Sequence, residues 1–177
     1  MKAGLFLLLI LILPGGTEQL DLPEYARKKV DKRLEEIWPG KSVSLDKITV
    51  DPATLTAINS GESKVDLYLL KDNSGNLGFL YLDLARGKFE DITYMTLFDN
   101  NLSILNVQVL IYKEDYGGEV QNRKWLKQFE GKKNGESMEF RKDVVNISGA
   151  TISCKSMTEN IRRISKIMTG LRTRKII

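Results

Sequence analysis

Apolar residues at helical spacing predict two helices in the first third of the chain. Residues 23–38 form an amphipathic pattern whose apolar stripe runs from Tyr25 to Ile37 among charged side chains. Asp51 is followed directly by Pro52, an order that favours a helix N-cap and the first helical position. The two segments therefore predict a long first helix and a short second one.

The centre of the chain is rich in β-branched and aromatic residues instead. Short turns containing Asn, Asp or Gly interrupt it at residues 73–75, 86–87 and 99–101. Consecutive strands joined by short turns pair as antiparallel neighbours. We therefore expect an α+β fold with a twisted antiparallel sheet of about four to six strands and flanking helices. The predicted strands are residues 65–70, 77–84, 89–98 and 102–112.

Beyond the sheet, two shorter elements are expected. Residues 121–129 read as a short helix with Trp125 and Phe129 on one face, four positions apart. Residues 143–147 are a candidate for a short strand.

A long helix ends the fold. Its apolar stripe consists of Met157, Ile161, Ile164, Met168 and Leu171. It is expected to run from about residue 153 to residue 171, and the spacing of Ser156 and Glu159 matches a capping box. The sequence therefore predicts that the first full turn of this helix lies near Ser156.

The first residues have the pattern of an export signal. Lys2 precedes an apolar run from Ala3 to Leu13, which is shorter than the roughly twenty residues that span a bilayer. A cleaved signal peptide and an uncleaved anchor both remain open. In either case we expect an extracytoplasmic protein, in the periplasm or at the outer face of the cytoplasmic membrane.

Composition excludes several kinds of chemistry. The chain has no histidine and one cysteine, so it builds no Ser-His-Asp triad, no histidine-ligated metal site and no internal disulfide. Any redox chemistry must therefore come from a bound cofactor. The net charge of +4 arises from bases that alternate with acids, which favours solubility or weak attraction to anionic membranes over nucleic-acid binding.

One segment combines small residues with a helix start. Ser148-Gly149-Ala150-Thr151-Ile152-Ser153 lies between the candidate strand and the last helix. Small residues allow close approach to the backbone, and the free N–H groups of a first helical turn suit a phosphate. An ordinary N-cap loop has the same residue types, so the spacing alone leaves both interpretations open.

The same segment resembles the S-G-A-T-x-[S/T] signature of the FMN-binding domain family. This family includes the covalent-FMN subunits of sodium-pumping NADH:quinone oxidoreductase and of the related ferredoxin:NAD oxidoreductase complex. The resemblance implies that Thr151 is esterified to the FMN phosphate by a separate flavin transferase that uses FAD. It also implies a phosphate pocket shaped by Ser148, Gly149, Ala150 and Ser153.

A second stretch supports the resemblance. Residues 114–119 and 125–131 are similar to the family's glycine-containing loop and the helix after it, and the loop lies over the flavin in the family. The resemblance covers residues from about 77 to about 168. It implies flavin contacts from Glu114, Tyr116, Gly117, Gly118 and Trp125.

The roles of individual side chains in that stretch have alternatives. Tyr116 and Trp125 are candidates for the wall beside the flavin ring, or for core anchors. Glu114 and Glu119 make flavin reduction harder if they face the ring, but they also suit a solvated loop edge. Lys155 is a candidate partner of the phosphate.

The chain departs from the family at the residues that the transferase prefers. Its target resembles Asp-x-x-[Ser/Thr]-Gly-Ala-Thr, and Val145 occupies the acidic position, while Asp143 lies two residues too early. The loop has Tyr116 where a threonine-like residue is usual, and it has no proline. A covalent threonyl ester and noncovalent FMN therefore both remain open.

Cys154 lies three residues after Thr151 and next to Lys155. A helix start and a neighbouring cation lower a thiol pKa and make the cysteine reactive. A lone cysteine is more often a small buried side chain, and we expect that here.

The sequence as a whole predicts an exported FMN carrier that transfers electrons at the outer face of the membrane. Its redox partners are unknown, and no residue is assigned to catalysis or to metal binding. A flavin-dependent reductase and a flavin-free interaction domain of the same fold are the alternatives. The expected organisation is a signal at 1–16, an N-terminal helical and first-strand region at 17–76, the FMN-binding domain at 77–171, and a basic tail at 172–177.

Overall fold

The computed structural model describes residues 20–177. The predicted signal at residues 1–16 lies outside this range. None of the helices within residues 20–177 combines the length and the apolar composition of a membrane-spanning segment. In chain order the elements are α1 (Glu24–Ile37), β1 (Ser44–Ile48), α2 (Pro52–Ala57), β2 (Asp66–Asp72), β3 (Gly75–Arg86), β4 (Asp91–Phe98), β5 (Ile104–Ile111), a 3-10 turn (Gly118–Gln121), α3 (Arg123–Leu126), a second 3-10 turn (Lys127–Phe129) and α4 (Thr151–Thr173).

The sheet is open and has five strands in the order β1-β2-β3-β4-β5, with every neighbouring pair antiparallel. This confirms the predicted α+β class, the antiparallel sheet and the four expected strands. The turns form as their residues predict, since the Asp99 carboxylate accepts from the backbone N–H groups of Asn101 and Ser103, each at 2.8 Å. Sequence reasoning missed β1, which adds the fifth strand at one edge.

Each face of the sheet is covered by a helix. The apolar side of α1 buries Ala26, Val30 and Leu34 against one face. The stripe of α4 packs on the other face, where all five of its predicted core residues are fully buried. They are Met157, Ile161, Ile164, Met168 and Leu171.

A polar cluster fixes α4 against the sheet. Arg163 Nη2 lies 2.7 Å from Asp83 Oδ2 on β3, and the buried Tyr94 of β4 donates its hydroxyl to the same oxygen at 2.9 Å. Arg163 also pairs with Glu62. The position of α4 along the sheet is therefore set by directional bonds as well as by apolar packing.

Two of the predicted helices differ in detail. In α1, Tyr25 is 53% exposed and Ala26 takes the core position, so the prediction of Tyr25 in the apolar stripe was wrong. Residues 121–129 form two short turns of 3-10 helix around α3 rather than one regular helix. Trp125 and Phe129 still meet, with ring centroids 5.4 Å apart in an edge-to-face arrangement.

The segment before α4 also differs from the prediction. Residues 143–147 form no strand, and only an isolated bridge joins Phe140 to Val144. The helix begins at Thr151, so the predicted capping box of Ser156 and Glu159 lies inside it rather than at its start. Asp51, by contrast, caps α2 as predicted, and its carboxylate accepts from the N–H of Thr54 at 2.9 Å.

Both ends of the sheet region make long-range contacts, and β3, which includes residue 77, pairs with β2. At the other end, Arg172 lies over the ring of Phe79, 5.9 Å from its centroid, and donates to the carbonyl of Asn100 at 3.2 Å. The end of α4 is therefore bound to the sheet.

We expect Gly78→Ala to destabilise the protein by about 2 kcal/mol, because an added Cβ overpacks a strand contact. That Cβ would lie 2.1 Å from the carbonyl oxygen of Phe98 on β4. Urea unfolding of Gly118→Ala is the control, since its nearest atom is 3.6 Å away. Equal stability of the two variants would contradict the close approach of β3 and β4.

Candidate functional site

The Ser148–Thr151 segment makes a tight bend into α4. Ile147 accepts a backbone hydrogen bond from Ala150 at 3.1 Å, and Gly149 takes a φ of +86° that favours glycine. Ala150 is buried at the N-cap position, and no side chain of the described residues caps this end of α4. The first amide groups of a 23-residue helix are therefore not used by a capping side chain.

Thr151 is the first residue of that helix. It is half-buried, and its Oγ1 accepts a hydrogen bond from Asn146 Nδ2 at 3.1 Å. The hydroxyl is thus held at a defined position in the first turn of α4.

A cavity of about 460 Å³ opens beside Thr151. Its volume lies within the range of about 300 to 1,000 Å³ that ligand sites have. We name it the Thr151 cavity. It brings together most of the predicted site residues, and its lining is Lys88, Glu114, Tyr116, Gly117, Gly149, Ala150, Thr151, Ile152 and Ser153.

The glycine loop packs directly on the bend. A Cβ added at Gly117 would lie 3.0 Å from the hydroxyl of Tyr112 and 3.5 Å from Cα of Ala150, and Gly117 has a φ of +80°. Tyr112 donates its hydroxyl to the carbonyl of Tyr116 at 2.5 Å. Glycine is therefore required where the loop meets the start of α4, and the side chain of Tyr116 is left 75% exposed at the cavity.

Glu114 joins the loop to the turn between β3 and β4. Its Oε1 accepts from the N–H groups of Phe89 at 2.6 Å and Glu90 at 3.1 Å. Burial alone raises the pKa of Glu114, but these amide hydrogen bonds outweigh it and the net pKa is lowered. The cavity therefore contains a carboxylate that is ionised at neutral pH.

The cation of this cavity is Lys88, which sequence reasoning missed. It belongs to the turn between β3 and β4 and lies over the ring of Phe89, 4.8 Å from the centroid. No sequence motif marks Lys88, because its turn comes close to the start of α4 only in the folded protein. Lys155, the predicted phosphate partner, is exposed and lies 3.9 Å from Glu159, outside the lining of the cavity.

Trp125 does not line the Thr151 cavity. It is buried, it contacts Phe129, and its Nε1 donates to the carbonyl of Val145 at 2.6 Å. It lines a separate apolar cavity of about 490 Å³ with Val145 and Ile147. The geometry is that of a core anchor, the alternative that the sequence left open.

Three other predicted residues lie at the edge of the site or next to it. Ser148 is exposed in the bend and does not line the cavity. Gly118 and Glu119 line a shallow neighbouring depression together with Tyr116 and Gly117. Glu119 therefore lies beside the Thr151 cavity rather than in it.

Cys154 is fully buried on α4, and burial raises the pKa of its thiol. The expectation of a small buried side chain is confirmed. A reactive thiolate is not favoured, because the neighbouring Lys155 points to solvent and pairs with Glu159.

The comparison with known proteins agrees with this geometry. The model of the FMN-binding domain family matches residues 87–166, a range that contains the whole lining of the Thr151 cavity. No curated protein matches the chain. Residues 87–166 therefore form an FMN-binding domain, and the chain is a flavin-binding protein with FMN as its cofactor.

The residues present fit that cofactor. Lys88 and the uncapped amides of α4 suit a phosphate, and Gly149 has open space where a side chain would project. Tyr116 and Ile152 are exposed apolar side chains at the same cavity and suit the face of a ring.

Replacing Glu114 tests the anchoring of the loop. We expect Glu114→Gln to lower the free energy of unfolding by about 1 kcal/mol at neutral pH, since amide donors bond a carboxylate more strongly than a neutral acceptor. Folding lowers the pKa of Glu114, so its carboxylate contributes fully to stability above the unfolded pKa of 4.5. This contribution is lost as the pH falls through the pKa that Glu114 has in the folded protein.

Urea unfolding at a series of pH values from about 7 downward measures the effect, and the difference between the two proteins is expected to shrink as the pH falls. Glu119→Gln is the matched control, because Glu119 lies outside the cavity. A gap between Glu114→Gln and the wild type that does not depend on pH would contradict a charged anchor.

Proposed function

We propose that this protein is an exported electron carrier whose FMN is joined through its phosphate to Thr151. The observation that carries the proposal is the half-buried Thr151 hydroxyl, which opens into a cavity of about 460 Å³ at the first residue of α4. Ser148, Gly149, Ala150 and Ser153 surround that position in the sequence. Bound FMN supplies the capacity to accept and release electrons.

The proposed attachment requires a separate flavin transferase and FAD. The Thr151 oxygen forms a bond to the flavin-bearing phosphorus of FAD, and the bond from that phosphorus to AMP breaks. The hydroxyl proton leaves with AMP. No electrons are transferred in this step, so FAD is the only co-reactant.

The cavity contains charges of both signs, because Glu114 bonds the turn that includes Lys88. Lys88 and the first amides of α4 stabilise the negative phosphodiester. The Glu114 carboxylate stays ionised, and a fixed negative charge disfavours the extra electron density of a reduced ring. These residues hold the cofactor and tune its potential.

The carrier role at the outer face of the membrane rests on the N-terminal sequence. Lys2 and the apolar run from Ala3 to Leu13 have the pattern of an export signal. Free FMN is scarce outside the cytoplasm, and a tethered flavin does not diffuse away. Covalent attachment therefore suits an exported carrier, whose redox partners are other proteins at the membrane.

Removal of the hydroxyl tests the attachment. Protein produced together with a flavin transferase is expected to give a fluorescent band on a denaturing gel under ultraviolet light, and Thr151→Ala is expected to give a dark one. Thr169→Ala is the matched control on the same helix, where the side chain donates to the carbonyl of Ser165. Its band should be as bright as that of the wild type.

Two other outcomes would contradict covalent attachment. A yellow native protein with a dark denatured band means that FMN is bound without an ester. A colourless protein in both forms, despite a competent transferase, favours the flavin-free interaction domain.

The acidic position of the transferase target gives an independent test. Val145 is 69% exposed, so aspartate is tolerated there without burying a charge. We expect Val145→Asp to raise the flavinylated fraction, measured by mass spectrometry of the intact protein after a limited reaction time. Val145→Asn is the control of similar shape without the charge. An equal fraction in both variants would mean that the acid does not guide this transferase.

A further inference from the structure

A second cavity lies at the edge of the sheet, between α1, β5 and α3. Its volume is about 440 Å³, and we name it the α1–β5 cavity. Four cations line it, together with a single carboxylate, that of Glu36. It shares no lining residue with the Thr151 cavity. The cations are Lys29, Lys32, Arg33 and Arg123.

Three of the five cations of α1 border the cavity. Lys29, Lys32 and Arg33 are three and four positions apart, so they lie on the side that borders the cavity. Glu24, Asp31 and Glu35 occupy the solvent face and do not line the cavity. The cavity side of α1 therefore carries three cations and Glu36, whereas Lys28 pairs with Glu24 at 2.7 Å, away from the cavity.

Hydrogen bonds hold two of these cations in place. Lys29 Nζ donates to the carbonyl of Leu110 at 2.7 Å, and Arg33 Nε donates to Oε1 of Gln108 at 2.8 Å. The side chain of Arg33 is only 13% exposed. These hydrogen bonds order the two long side chains before any ligand arrives. The conformational entropy cost of ordering them is therefore not added to the cost of binding.

The single carboxylate is shared. Glu36 Oε2 lies 2.6 Å from Nη1 of Arg33 and 4.0 Å from Nη1 of Arg123. Lys32 is exposed and has no carboxylate partner among residues 20–177. The cavity therefore keeps an excess of positive charge that its own acid does not balance.

We propose that the α1–β5 cavity binds a phosphate group. Guanidinium forks and ammonium groups are the preferred protein partners of phosphate, and the amides of Gln108 and Gln121 add uncharged donors. The phosphate belongs to an anionic lipid headgroup or to a soluble phosphorylated compound. A headgroup here would hold the domain against an anionic membrane.

The test compares two double variants of the full chain. Lys32→Glu with Arg123→Glu reverses two cavity charges, and Arg123 is 63% exposed, so the fold is expected to tolerate the change. Lys28→Glu with Lys124→Glu is the matched control. It makes the same change of net charge on the same two helices, at residues that do not line the cavity.

Each protein is sedimented with vesicles of phosphatidylcholine containing phosphatidylglycerol and, separately, with vesicles of phosphatidylcholine alone. The fraction bound to phosphatidylcholine alone is subtracted from the fraction bound to the mixed vesicles, which removes any binding by the apolar N-terminal run. Each protein is also heated with and without pyrophosphate, which probes a soluble phosphate. Circular dichroism verifies that each variant folds. If the charge-reversal variant fails to fold, Lys32→Gln with Arg123→Gln replaces it. Its control is then Lys28→Gln with Lys124→Gln.

We expect the cavity variant to bind its phosphate probe at least about tenfold more weakly than the control variant. If the cavity variant binds phosphatidylglycerol vesicles more weakly and its response to pyrophosphate is unchanged, the phosphate belongs to a lipid headgroup. Loss of a pyrophosphate-dependent rise in Tm identifies a soluble phosphate. Equal weakening in both variants, or no binding of either probe by the wild type, would overturn the proposal.

Discussion

The burial of one apolar stripe of α4 against the sheet determines where the functional site forms. The core residues of α4 from Met157 to Leu171 are fully buried, and Arg163 bonds Asp83 on β3. These contacts fix the helix in rotation and along its axis. Because the helix cannot slide, its first residue, Thr151, has a fixed position beside the sheet. A hydroxyl on a loop of the same composition would lack that definition.

The other wall of the site depends on contacts between distant parts of the chain. Glu114 accepts amide bonds from the turn after β3, while Gly117 packs on Ala150 at the start of α4. At Gly117 a Cβ would lie 3.0 Å from the hydroxyl of Tyr112, and the φ of +80° favours glycine. The loop, the turn and the helix start therefore contact one another around the cavity, and such mutual support is the condition for holding a cofactor in one orientation.

The sequence predicts those features that local pattern controls, and it misses those that depend on tertiary contact. Strand periodicity and turn residues identify β2 to β5, whereas the short, half-exposed β1 gives a weak signal. The start of α4 was placed too late because Ala150 offers no capping side chain to mark it. Residues 143–147 look like a strand, but the side chains of Trp125 and Gln128 bond the backbone of Val145 instead. Lys88 has no motif at all.

The hydrogen bond between Asn146 and Thr151 is compatible with the attachment proposed above. Asn146 Nδ2 donates to Oγ1, so the bond uses the threonine oxygen only as an acceptor. Esterification removes the hydroxyl hydrogen but leaves that oxygen able to accept. The same contact therefore orients the free hydroxyl before the reaction and the ester oxygen after it. Asn146 therefore bonds the threonine oxygen as a neutral side chain, which adds no negative charge beside the proposed phosphate.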